Sequence, residues 1–167
     1  MWKPFSGRPI DRRVRGFQLA SRYRLTRAAE LGALAGFRDL IDRACAEQAC
    51  EEQVSIDQQT CYDLKLAVEE ACMNVITHGY SGMNPGSIML ELQFDPGQVL
   101  VNLTDFGHPF EPHEPAAPDL QVDLEDGLTH GFGLHFIYQT MDQISYITAK
   151  DGNHLTFVKR LPASRKA

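Results

Sequence analysis

The clearest hydrophobic pattern in the chain is helical and runs from Leu64 to Tyr80. Its apolar residues recur at the three- and four-residue spacing of one buried helix face. They are Leu64, Ala67, Val68, Ala71, Cys72 and Val75. Glu70 and Asn74 stand one turn apart on this helix, so their side chains should project side by side. Gly79 is predicted to end the helix.

Two more helices are predicted, one before and one after this segment. Thr26 is expected to cap the first, whose inner face would carry Leu31, Leu34, Ile41 and Cys45. Ser55 and Gln58 have the form of a capping box, which would open the helix that carries Glu70. The last helix should begin at 131–133 and present Leu134, Ile137, Tyr138 and Met141 on one side.

Strands are predicted where apolar and polar residues alternate with period two. Residues 87–94 and 99–103 alternate in this way on either side of a turn at Asp95-Pro96-Gly97, which indicates a hairpin with one buried face. A first strand is expected from Phe17 to Leu25. A closing hairpin is expected from 144–149 and 154–161, with its turn at 150–153.

Two segments lack such patterns. Residues 1–16 hold five basic residues and one acid, which predicts a flexible basic arm ahead of a single domain at 17–167. Residues 108–130 hold six acids and four prolines but no lysine or arginine. A stretch this long inside a compact domain is typical of a lid or a disordered segment.

Composition narrows the classes of function. The chain has 167 residues, enough for one domain with a substantial core, and a formal net charge of −6 that argues against direct nucleic-acid binding. It has no apolar run of the roughly 18 residues needed to span a membrane, and no signal peptide is evident. A cytoplasmic location is therefore expected. The four cysteines form no C-x-x-C pair, which favours buried free thiols over zinc or disulfides.

Glu70 and Asn74 have the residue types needed at a metal-phosphate site. The carboxylate can act as a base, while the neutral amide oxygen can take one position on a Mg²⁺ that keeps waters and phosphate oxygens as its other ligands. A solvated polar stripe is the alternative interpretation of such a pair. The choice between the two depends on motifs further along the chain.

Two of those motifs suit a nucleotide. Asp105 ends a strand, where its carboxylate can accept a hydrogen bond from the exocyclic amine of a purine, and Gly107 would let the backbone approach the base. Gly131 and Gly133 begin a helix, where bare backbone N–H groups and a partial positive charge can meet phosphate. Singly, each motif is more often an ordinary turn or a tight loop.

In this order the motifs resemble the GHKL (Bergerat-fold) ATP-binding superfamily, and within it the anti-sigma-factor serine/threonine kinases. The resemblance runs from about Leu25 to Leu161. Its strongest part is the N-box segment LAVEEACMNVITHGY. It continues in the Asp105-Phe106-Gly107 box, in GFGLHFIYQTMDQISY and in the strand at 152–156.

The resemblance implies a role for each matching residue. Glu70 would be the general base that activates a substrate serine, and Asn74 would hold Mg²⁺. Asp105 would recognise adenine, supported by Gly107. ATP would also contact Gly131, Phe132, Gly133, Leu134 and, on the adenine side, Thr156. For His78, packing, partner contact and chemistry all stay open.

The family also implies a fold and a set of partners. The fold would be α/β (an α+β sandwich), with a mixed, mostly antiparallel sheet, helices on one face and an ATP lid at about 108–130. The protein would be a homodimer that uses ATP and Mg²⁺, binds a sigma factor and phosphorylates a serine of an antagonist protein.

One departure from the family keeps an alternative open. Kinase members commonly carry an arginine just before the glycines, where this chain has Thr129 and His130. Acids in the lid would oppose a triphosphate, so weaker ATP binding or slower transfer is expected. The alternative is a nucleotide-gated, catalytically weak or inactive regulator that binds proteins. A histidine-kinase fragment is disfavoured because no dimerising helical hairpin with a phospho-acceptor histidine is evident.

Overall fold

An antiparallel sheet forms one layer of the protein in the computed structural model, which describes residues 20–50, 56–109 and 132–162. Its strands are β1 (Ser21–Ala28), β2 (Ser87–Asp95), β3 (Gln98–Asp105), β4 (Gln143–Ala149) and β5 (Gly152–Arg160). Their order across the sheet is β1-β2-β3-β5-β4. Each of these neighbouring pairs is antiparallel.

Helices cover one face of this sheet. They are α1 (Ala33–Ala49), α2 (Gln58–Asn74) and α3 (Phe132–Thr140). A π-helical segment, Val75–Gly79, follows α2 directly and is called the π-turn below. The core lies between the helices and the alternating inward positions of the strands, so the predicted α/β layer arrangement is confirmed.

The β2–β3 hairpin has the predicted boundaries and turn. Side chains alternate between buried and half-buried along β2 and through most of β3. Gly97 adopts a φ of +83°, a left-handed conformation that glycine accepts without a steric penalty. The closing hairpin is confirmed as β4 and β5, which pair from Gly152 to Val158 of β5. Its turn is shorter than predicted, because β5 already begins at Gly152.

The predicted start of the first helix is wrong. Thr26 lies within β1, because β1 pairs with β2 as far as Ala28. Helix α1 begins later, at Ala33, and its N-cap residue Gly32 makes no side-chain capping bond. Leu31 consequently lies outside the helix and is 63% exposed. The inner face of α1 consists of Ala33, Phe37, Leu40, Ile41, Ala44, Cys45 and Gln48.

The cap of α2 also differs from the predicted capping box. Asp57 is the N-cap residue, and its Oδ1 accepts a hydrogen bond from the Thr60 backbone N–H at 2.7 Å. This bond holds the pKa of the Asp57 carboxyl below its ordinary value. Gln58 is the first helical residue, and Ser55 lies outside the described residues.

The four cysteines are free thiols. Cys45 and Cys72 are buried as expected, but Cys50 is exposed because it follows the end of α1. The predicted arm, and the predicted lid after its first two residues, lie outside the described residues, so that domain division stays a prediction. In the described part of the chain, no helix has the length and apolar character needed to cross a membrane.

Candidate functional site

Asp105 is a buried carboxylate at the end of β3. It is 5% exposed and follows the inward-facing row of this strand. Its Oδ1 accepts hydrogen bonds from the Gly107 backbone N–H at 2.9 Å and from Asn153 Nδ2 at 3.0 Å. Among the described residues, no hydrogen bond reaches Oδ2. One oxygen therefore fixes the carboxylate, and the other remains able to accept a bond from a ligand.

Gly107 lies against the end of the π-turn. A Cβ at this position would be 2.6 Å from the carbonyl carbon of Gly79, a distance that real side chains do not tolerate. The next residue, His108, donates its backbone N–H to the Gly79 carbonyl at 2.6 Å. From the sequence, Gly107 is expected to let the backbone approach a nucleotide base. The structure shows that position 107 must be glycine because its backbone packs against that of Gly79.

Asn74 and Asp105 line the same small cavity between α2 and the sheet. The other residues around it are Ala71, Val75, Gly79, His108, Tyr146 and Leu155. Asn74 is the last residue of α2, and the π-turn begins immediately after it. The structure thus brings together Asn74, which the resemblance assigns to Mg²⁺, and Asp105, which it assigns to adenine.

Glu70 lies one turn before Asn74 on α2 and is half-buried. Burial raises the pKa of its carboxyl, and the adjacent Glu69 charge raises it further. Glu69 is bound to Arg38 of α1, with its Oε2 2.9 Å from the arginine Nε. Within the described part of the chain, Glu70 itself has no hydrogen bond or ion pair. A carboxylate in these surroundings is free to take a proton from a bound group.

Thr156 does not reach this cavity. It lies on the opposite face of the sheet, paired with Asn102, and its Oγ1 donates to Asn102 Oδ1 at 2.8 Å. The residue of β5 that contacts Asp105 is Asn153, which is 3% exposed and also donates to the Gly107 carbonyl at 3.0 Å.

Sequence reasoning missed Asn153 because it placed this residue in a turn. A signal was present, since Asn153 shares its strand face with Leu155 and Phe157 and is polar within a buried row. Its partner could not be read from one sequence, because the pairing of Asn153 with Asp105 is set by the β3–β5 register.

The remaining candidates are only partly described. Gly131 lies outside the described residues, and α3 begins at Phe132 and continues through Gly133. Leu134 is half-buried and packs against the core. His78, on the π-turn, is exposed.

Several known proteins are similar to this chain. The family model described as "Histidine kinase-like ATPase domain" matches residues 28–159. The serine/threonine-protein kinase BtrW of Bordetella bronchiseptica is 30% identical over 95 residues, which cover 57% of this chain and 67% of BtrW. The serine-protein kinase RsbW of Bacillus licheniformis is 30% identical over 89 residues, or 49% of this chain and 54% of RsbW.

Two further relatives extend the comparison. The anti-sigma F factor of Clostridium botulinum is 30% identical over 89 residues, covering 53% of this chain and 62% of that protein. The crystal structure of the RsbU and RsbW domains of Rv1364c from Mycobacterium tuberculosis superposes with a TM-score of 0.61 at 17% identity. That likeness concerns the fold alone, and it covers 86% of this chain and 33% of the other. The chain thus spans about half to two thirds of the curated relatives named here.

Proposed function

Because the chain belongs to the histidine kinase-like ATPase domain family, we propose that it is an ATP-dependent protein serine/threonine kinase of the anti-sigma-factor type. In this proposal it acts as a homodimer, binds a sigma factor and phosphorylates a serine of an antagonist protein. The observation that carries the proposal is the shared cavity of Asn74 and Asp105, one helical turn from Glu70.

Asp105 would recognise the adenine. Its Oδ1 is already held by Gly107 and Asn153, so the carboxylate cannot rotate freely. Its Oδ2 would accept a hydrogen bond from the exocyclic amine of adenine. Guanine carries an oxygen at that ring position and cannot donate this bond. Binding selectivity of this kind is strong because a mismatched base leaves a buried charge without a partner.

Asn74 would hold the metal. A neutral amide oxygen suits Mg²⁺, which keeps most of its waters and takes one or two protein ligands together with phosphate oxygens. The side chain of Asn74 is half-buried at the cavity wall, so it fits this role. When bound, Mg²⁺ would neutralise charge on the phosphates during transfer.

Glu70 would act as the general base for the substrate serine. Its raised pKa brings its proton affinity closer to that of a useful base at neutral pH. It would accept the hydroxyl proton as the serine oxygen attacks the γ-phosphorus and the bond to the β-phosphate oxygen breaks. Transfer of this kind depends mainly on positioning and on charge stabilisation.

Calorimetric titration of Mg²⁺-ATP tests the nucleotide site. Asp105→Asn should weaken binding by about a hundredfold, because the substitution removes the buried charge that accepts the amine. Asp39→Asn is the matched control, since Asp39 is exposed on α1 and should bind like the wild type. Equal affinity of the Asp105 variant and the wild type would exclude the assigned role of Asp105.

Phosphate transfer from labelled ATP to antagonist proteins tests the chemistry. Glu70→Gln should retain ATP binding and lose transfer by about a hundredfold or more. Glu69→Gln is the control, because it makes the same chemical change at the neighbouring position and should continue to transfer phosphate. Full activity of the Glu70 variant would show that Glu70 is not the general base.

A second candidate function is a nucleotide-gated regulator without useful transfer. The presence of Thr129 and His130 before the glycine motif favours it, since no arginine stands there to meet the terminal phosphate. ATP-dependent partner binding without detectable transfer by the wild-type protein would support this function. Transfer that depends on Glu70 would exclude it.

A further inference from the structure

Tyr80 is a buried aromatic residue that neither the motif roles nor the proposed chemistry uses. It follows the π-turn directly and is 6% exposed. Its hydroxyl accepts a hydrogen bond from the Phe106 backbone N–H at 3.0 Å and donates one to the Ser87 carbonyl at 3.1 Å. The one phenolic proton is thus donated to Ser87, while the phenolic oxygen satisfies the backbone N–H of Phe106.

The phenol of Tyr80 packs closely against the backbone of Gly86. A Cβ added to Gly86 would lie 2.5 Å from the Tyr80 hydroxyl oxygen, so only glycine leaves room for the phenol. At its own backbone, Tyr80 donates its N–H to the Val75 carbonyl at 3.2 Å. Tyr80 is thereby fixed to the first residue of the π-turn, which directly follows Asn74.

These contacts connect the two halves of the candidate site. One half is the end of α2 with Asn74, and the other is the turn that begins with Asp105. The hydroxyl of Tyr80 bonds to the residue immediately after Asp105. Beside it, the Gly79 carbonyl accepts a bond from the His108 N–H. The Tyr80 hydroxyl is the side-chain group among these contacts, so substitution can remove it alone.

We propose that Tyr80 is a positioning residue that fixes the Asp105 turn relative to Asn74 and so determines how well the site distinguishes adenine from guanine. The inference rests on the proposed function, because it assigns Asp105 to the base. Recognition groups must be held within about 0.5 Å of their productive positions to act at full strength. A turn released from the phenol would leave the carboxylate less well aligned with the exocyclic amine.

Tyr80→Phe tests this role because it removes one oxygen and keeps the ring. The Kd for ATP should rise about tenfold, the scale expected when the hydrogen bond between the Asp105 carboxylate and the exocyclic amine is weakened by poor alignment. The Kd for GTP should change little, so the GTP-to-ATP ratio of Kd values should fall by about the same factor. Calorimetric titration of both nucleotides measures this ratio.

Tyr62→Phe is the matched control. Tyr62 lies on α2, is 58% exposed and loses the same single oxygen, so its nucleotide ratio should equal that of the wild type. Amide hydrogen exchange at Phe106, followed by NMR, supplies a reading that needs no nucleotide. Exchange there should accelerate in Tyr80→Phe and stay unchanged in Tyr62→Phe.

The outcomes separate this inference from the proposal beneath it. A lower ratio with faster Phe106 exchange supports a positioning role. A Tyr80→Phe protein with a lower melting temperature but an unchanged ratio overturns it, because a purely structural role predicts that result. Absence of ATP binding by the wild type overturns the proposed function itself, and with it the nucleotide role of Tyr80.

Discussion

Two adjacent carboxylates on α2 have contrasting surroundings. Glu69 is bound to Arg38 of α1, whereas Glu70 is half-buried beside the Glu69 charge. Desolvation first, and the Glu69 charge second, raise the pKa of Glu70. The folded protein therefore binds the Glu70 proton more tightly than the unfolded chain does. The stability that Glu70 contributes accordingly falls as the pH rises from its unfolded-state pKa to the raised value.

This environment predicts the pH dependence of transfer. The base is active when deprotonated, so kcat/KM should rise with pH through the raised pKa of Glu70. Glu69→Gln removes the neighbouring charge, which is the second cause of the raised Glu70 pKa. The rise of kcat/KM with pH (the acid limb of the profile) should then occur at lower pH, with transfer retained. Rates measured from pH 4 to 8 provide the test, with Glu91→Gln as the control, since Glu91 lies on the face of β2 opposite the buried row. An acid limb that stays in place would show that the Glu69 charge does not act on the base.

At the scale of elements, a partly buried ion pair connects β5 to the helical layer. Lys159 Nζ donates to Asp63 Oδ2 of α2 and to the Thr140 carbonyl at the end of α3, each at 2.7 Å. The Asp63 and Lys159 side chains are 9% and 19% exposed. Breaking the pair is costly because the buried Asp63 charge loses its cation and keeps only the hydrogen bond from Gln59 Nε2 at 2.7 Å.

Lys159→Met should therefore destabilise the protein by about 3 kcal/mol. Lys65→Met is the matched control. Lys65 bonds to Asp42 at 2.7 Å, but that pair is exposed and should contribute at most about 1 kcal/mol. Urea unfolding measures both variants. Adding Asp63→Leu to Lys159→Met should recover part of the loss, and equal costs for the two lysine variants would contradict this account.

Elements with a strong local pattern could be predicted from the sequence. Alternation gave β2 and β3 their correct faces, and the helical spacing placed Glu70 and Asn74 on α2. Both predicted caps failed. Pairing with β2 keeps Thr26 in a strand, and Asp57 lies close enough to the start of α2 to bond to Thr60. Local composition cannot decide between such neighbouring polar residues.

The parts of the site that escaped prediction depend on contacts between distant segments. Asn153 reaches Asp105 through strand register, and Tyr80 reaches Phe106 across the end of the helical layer. The requirement for glycine at position 107 comes from the backbone of Gly79. A single sequence records the residues of these contacts but not their proximity.

At the scale of the whole molecule, the nucleotide would join the helical layer to the sheet. A ligand that binds only the folded state stabilises it by about 2.7 kcal/mol at a hundred times its Kd. For a chain of this size, that gain raises the melting temperature by about 5–10 °C. Mg²⁺-ATP should produce such a rise in the wild-type protein if Asn74 and Asp105 both contact it.

Gly107→Ala should reduce this rise as well as the melting temperature without ligand. Its new Cβ would be 2.6 Å from the Gly79 carbonyl carbon, so the Asp105 turn and the π-turn must move apart. Overpacking of this kind typically costs about 1–3 kcal/mol. Gly32→Ala is the control, since Gly32 has a helical φ of −61° and an added Cβ meets no atom within 4 Å. Differential scanning calorimetry with and without Mg²⁺-ATP compares the variants. A full ligand-induced rise in Gly107→Ala would show that the nucleotide does not depend on the spacing between these two turns.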